Sequence, residues 1–129
     1  MFISNLSSKQ QSVFLGLAKK LIDSDENIAP EESALLSTIQ QQMLADVTST
    51  DVALDTLPTV FDCKKAKASL LLELLGLAHA DQEYHSAEKD FINQVATSCG
   101  VSSYELQDME SWVVRQLSLV REAAQFMEG

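Results

Sequence analysis

Apolar and polar positions alternate with helical spacing from one end of the chain to the other. Phe14, Leu17, Ala18 and Leu21 stand at i, i+3, i+4 and i+7, which is one face of a helix. Ser7 and Gln10 ahead of them have capping-box spacing, so this helix is expected to begin near Ser7 or Ser8. A second helix is predicted from Pro30, since the N–H that proline lacks has no helical partner at a first position. Glu31 and Glu32 suit its first turn, and Leu35, Leu36, Ile39 and Met43 form its buried stripe. Between Asp46 and Asp62 the pattern predicts a short helix from about Thr50 to Leu57, interrupted by Pro58.

Asp62 is then expected to cap a strongly apolar core helix reaching about Ala80. Ser86 is expected to cap the next, which ends at Cys99-Gly100 with glycine in the left-handed position. Ser102-x-x-Glu105 opens a long last helix, with Leu106, Met109, Val113, Leu117, Val120, Ala124 and Met127 along one side. Trp112, Val114 and Leu119 lie off that stripe, which suggests deeper burial against the rest of the fold or another subunit. No segment alternates with period two. The predicted fold is all-α: a single domain over 1–129 with about six or seven helices.

Sliding the chain by 56 positions aligns Phe14, Ala18 and Leu21 with Leu70, Leu74 and Leu77. It also aligns Leu35, Leu36, Ile39 and Met43 with Phe91, Ile92, Val95 and Cys99; Leu17 against Glu73 is the mismatch. Asp25 falls on Asp81 and Glu32 on Glu88. The pattern implies two related helix–loop–helix hairpins, over approximately 8–43 and 64–99, sharing one core.

Charge narrows the function classes. The 129 residues carry 19 acidic and 9 basic side chains, a formal net charge of −10. Nucleic-acid phosphates are bound by neutralising them with Lys and Arg, and this chain would repel them. Anionic membrane surfaces are disfavoured on the same ground. Cys63 and Cys99 are far apart in sequence, outside any zinc-ligand spacing, and read as reduced, partly buried thiols of a cytoplasmic protein. The most apolar segment, Ser69 to Ala80, contains Glu73 and is too short to span a bilayer.

Part of the negative charge is concentrated at the two matching loops. One reads Asp25-Glu26-Asn27-Ile28-Ala29-Pro30-Glu31-Glu32, the other Asp81-Gln82-Glu83-Tyr84-His85-Ser86-Ala87-Glu88. Oxygen-bearing side chains at i, i+2 and i+7 converge if the chain turns between two helices, while Ile28 or Tyr84 packs inward. Asp25, Asn27, Glu32, Asp81, Glu83 and Glu88 are therefore the candidate metal ligands, for a hard divalent cation such as Ca²⁺ or Mg²⁺. Neither loop is an EF-hand, because Ser86 and Ile92 occupy the places of the required Gly and Glu in the second, and Pro30 and Leu36 in the first. With fewer protein ligands, affinity for Ca²⁺ is expected on the order of 0.1–1 mM.

The segment from Leu70 to Glu88, with its apolar helix ending in small residues and Ala80-Asp81-x-x-Tyr84-x-x-x-Glu88, resembles the TerB-like domains of tellurite-resistance proteins. Ile22-Asp23-Ser24-Asp25 through Pro30-Glu31-Glu32 is similar, and the resemblance extends over roughly residues 6 to 125. It implies an all-helical, internally duplicated, acidic domain linked to stress responses and binding metal through acidic residues. Asp25, Glu32, Asp81 and Glu88 match that motif. The family's usual Gly after Asp is Glu26 in one loop and Gln82 in the other, which stiffens or reshapes the turns.

His79, Asp81, Glu83 and His85 fall within seven positions, the residue types of a hydrolytic metal site, but the first loop has Asp23 and Ala29 at the histidine positions. They read as surface histidines beside acids, and Glu105, Asp108 and Glu110 as ordinary helix-start and solvated-face charges. The chain is read as non-enzymatic and without an organic cofactor. Its expected role is a stress or accessory domain that binds a cation weakly, or a protein partner, through the acidic loops. The alternative is a metal-free helical interaction module or dimerisation domain, monomeric or homodimeric.

Overall fold

The first helix, α1 (Ser8–Asp23), starts where its capping signals stand. Ser7 Oγ accepts from the Gln10 N–H at 3.2 Å and Gln10 Oε1 accepts from the Ser7 N–H at 2.9 Å. The computed structural model describes residues 2–24, 30–80 and 84–128. Five more helices follow: α2 (Pro30–Gln41), α3 (Leu57–Val60), α4 (Lys64–Ala78), α5 (Ser86–Ser98) and α6 (Ser103–Met127). Single 3₁₀ turns lie at Ile3–Asn5 and Leu54–Thr56, and no strand occurs among the described residues. The fold is an all-helical single domain. The starts of α1 and α4, and of α2 and α5, are each 56 positions apart.

The apolar helix α4 is central, touching α1, α2, α5, α6 and the N-terminal 3₁₀ turn. Leu70, Leu71, Leu74, Leu75 and Leu77 are fully buried along it, and Phe14, Leu17, Ala18 and Leu21 of α1 pack into the same core. Two polar side chains are buried on α4, one turn apart. Ser69 Oγ accepts from Asn5 Nδ2 at 3.1 Å, and Glu73 Oε1 accepts from the Phe2 N–H at 2.6 Å. The mismatch of Leu17 with Glu73 thus has a cause. The N-terminal segment covers α4 at this place and brings a backbone donor, the Phe2 N–H, that an apolar side chain would leave without this acceptor.

Several boundaries depart from expectation. Residues 47–53 form an irregular strap instead of a helix, because the Thr50 N–H donates to Ser12 O on α1 at 3.1 Å. Pro58 does not interrupt a helix; it lies in the first turn of α3, where its missing N–H costs nothing. Cys63 precedes α4 in place of Asp62, its carbonyl accepting from the Lys67 N–H at 3.0 Å, and no side chain caps the helix. His85 holds the same place before α5, so Ser86 is the first helical residue, as Pro30 is in α2. Met43 lies beyond the end of α2, and among the four residues expected on that stripe only Ile39 is buried; Leu35, Leu36 and Met43 are partly covered.

Helix α5 ends as its glycine predicts. Gly100 has φ +75°, its N–H donates to Thr97 O at 3.0 Å, and the Val101 N–H donates to Ala96 O at 2.9 Å. Ser102 then caps α6, Oγ accepting from the Glu105 N–H at 3.2 Å. The α6 stripe reaches the core only in its first half. Leu106 and Val113 are buried and Met109 and Leu117 partly so, while Val120, Ala124 and Met127 are exposed. Length is the reason: α4 has 15 residues and α6 has 25, so α6 is longer by about 15 Å.

Candidate functional site

Two carboxylates occupy corresponding places at the starts of α2 and α5. Glu32 and Glu88 each lie in a helix first turn, only 2% and 0% exposed. A carboxylate there is favoured by the helix dipole, and each of these two makes polar or ionic contacts. Burial at this depth is unusual for Glu, because removing a carboxylate from water is costly unless a charge or hydrogen-bond donors replace the water. Of the other candidate ligands, Asp25, Asn27, Asp81 and Glu83 lie outside the described residues. Among the described residues, no group of three or more His, Cys, Asp or Glu could hold a metal ion.

The end of α4 is tied to α6 by groups whose arrangement the spacing did not reveal. His79 closes α4 with its side chain 13% exposed, and its Nε2 is 3.3 Å from Glu110 Oε1 on α6. Its ring lies against Tyr84, with centroids 4.3 Å apart and a 50° tilt. His79 is therefore a largely covered contact between helices, not a surface histidine, and Glu110 is not a purely solvated charge. Tyr84 packs inward against the core as expected. Burial, then the nearby Glu110 and Glu88 carboxylates, push its phenol far above the ordinary tyrosine value. It stays a neutral donor near neutral pH and cannot serve as a base there. Helical spacing could have found Glu110, which stands seven positions before the partly covered Leu117 of α6. Only the packing of α6 on α4 supplies its partner.

Both cysteines are free thiols. Cys99 is buried and free, its thiol raised chiefly by desolvation, with Lys67 opposing. Cys63 is exposed rather than partly buried, because it stands outside α4. Both line a cavity of about 270 Å³ beside the start of α6. A larger apolar groove of about 470 Å³ runs between the N-terminal segment, α2, α4 and α6, with Leu35, Leu72, Trp112 and Leu117 in its walls. Trp112 meets Phe2 edge to face, centroids 5.6 Å apart, and is 37% exposed. No described helix is long and apolar enough to cross a membrane.

In comparison with known proteins, the model of the family described as tellurite resistance protein TerB matches residues 16–111. No curated protein and no solved structure gives a significant match.

Proposed function

The chain belongs to the TerB family, and on that premise we propose that it is a non-catalytic accessory domain whose acidic loops bind a divalent cation weakly. The observation that carries this reading is the pair of buried carboxylates, Glu32 and Glu88, set 56 positions apart in the same turn of two helices. Each ends an acidic loop, and hard cations take carboxylate oxygens. Asp25 and Asn27 would join Glu32, and Asp81 and Glu83 would join Glu88, in two related hairpins. The proposed site of action is the cytoplasm.

Thermal unfolding in EDTA, then with 10 mM Ca²⁺, Mg²⁺ or Mn²⁺ in turn, tests it. With a dissociation constant of about 0.1–1 mM, about 10 mM cation stabilises by roughly 1.4–2.7 kcal/mol, which raises the midpoint by about 5–10 °C. Asp81→Ala and Glu88→Gln should each remove part of that rise. Equal midpoints for parent and Asp81→Ala in every condition would sink the reading. A metal-free interaction or dimerisation module is the second reading, supported by the apolar side chains that α6 leaves exposed.

A further inference from the structure

The exposed apolar residues of α6 are not scattered. Trp112, Leu119 and Phe126 recur every seven positions and are 37%, 63% and 90% exposed. Gln116 and Ala123 fall between them, so 112, 116, 119, 123 and 126 follow the alternating four–three spacing of a coiled-coil seam. This seam lies on the helix flank beside the buried Leu106 and Val113. Within this chain it meets only Phe2 at its first residue among the aromatic contacts of the described residues. A seam of that spacing is made to receive another helix.

The charges beside the seam specify which helix. Arg115 and Glu122 occupy equivalent positions in successive heptads, directly flanking the seam on one side. In an antiparallel pair of identical helices, centred near Leu119, residue 115 of one copy faces residue 122 of the other, twice over. Opposite charges then meet at both ends. In the parallel arrangement Arg115 would instead face Val120. The same antiparallel register sets Phe126 of the second copy beside Trp112, at the mouth of the apolar groove that Trp112, Gln116 and Val120 help to line. An exposed phenylalanine and an open aromatic-walled groove thereby satisfy each other on both sides of a two-fold axis.

We propose that the chain forms an antiparallel homodimer through α6, with Leu119 at the two-fold axis, Phe126 of each copy in the groove of the other, and reciprocal Arg115–Glu122 pairs. This rests on the interaction-module reading and is separate from cation binding.

Sedimentation equilibrium of the full chain in EDTA and in Ca²⁺, with the protein concentration varied over several decades, tests it. The parent should pass from 14.2 kDa to twice that mass as concentration rises. Leu119→Asp should raise the dissociation constant by about 30-fold or more, the effect of a central interface residue. Arg115→Glu and Glu122→Arg alone should each weaken the dimer by about 5-fold, and the double exchange should restore it. These side chains are exposed, so circular dichroism and the melting midpoint of the monomer should stay the same. A constant monomer mass overturns the proposal together with the dimerisation reading. A dimer indifferent to Leu119→Asp, or a double exchange without rescue, overturns this interface while leaving dimerisation in place.

Discussion

Gly16 and Gly76 both lie inside helices, yet Gly→Ala should act in opposite directions at the two. A helical glycine replaced by alanine gains about 0.5–1 kcal/mol from backbone propensity alone. At Gly76, in α4, a Cβ would meet nothing within 4 Å, so the gain should appear whole as a midpoint rise of about 2–4 °C. At Gly16, in α1, the new Cβ would lie 3.0 Å from the Thr50 carbonyl carbon and closer still to its oxygen. Both are backbone atoms, so no rotamer change relieves them. The strap is held there by the Thr50 N–H donating to Ser12 O at 3.1 Å and by the exposed Lys20–Asp51 ion pair.

Keeping the strap forces overpacking, and lifting it loses that hydrogen bond, the ion pair and the strap's packing together; either costs about 2–3 kcal/mol in all. Set against the propensity gain, Gly16→Ala should be destabilising by about 1–2 kcal/mol, or about 4–8 °C. Thermal unfolding of the two variants beside the parent, under identical buffer, reads this directly. If Gly16→Ala melts at or above the parent, the strap does not pack on α1 as described.

Glu73→Leu should destabilise by about 1 kcal/mol despite matching Leu17, because the part-buried Phe2 N–H loses its acceptor; urea unfolding measures it. Tyr84 has a folded-state value raised above the ordinary value near 10, so its contribution is complete below about pH 10 and is lost as pH climbs above it. Stability followed by circular dichroism should therefore fall with pH in that range, less steeply in Tyr84→Phe, and equal slopes would remove Tyr84 as the cause. One thiol, Cys63, should react with a chromogenic disulfide reagent in the native protein, and Cys99 only on unfolding; two fast equivalents would contradict the burial of Cys99.

Most of the helical plan was legible because its causes are local. Ser7 with Gln10, Pro30, Gly100 and Ser102 act on backbone groups within a few positions, the apolar spacing of α1 describes one face directly, and α4 is apolar nearly all round as a central helix must be. The largest departure falls where a distant partner supplies the hydrogen bond, whereas those at Asp62 and Ser86 are shifts of one residue. Thr50 donates to Ser12 and not to its own turn, so the segment before α3 is a strap. The candidate site divides in the same way. The matching of Glu32 with Glu88 was visible in the spacing, but their burial depends on what packs over two helix N-termini. The contact of His79 with Glu110 needs α4 and α6 side by side.

The sequence by itself determined an all-helical chain, where most helices start and stop, and the doubled acidic pattern, since all of these follow from short-range periodicity and capping. The tertiary structure alone decided which residues of α6 face the core and which form an exposed seam, because a helix about 15 Å longer than the one it packs on must leave part of its apolar surface uncovered. It also decided that a glutamate on the buried face of α4 is correct there. An apolar register records which side of a helix is inward, but only the neighbour that covers it determines whether that position needs a methyl group or an acceptor.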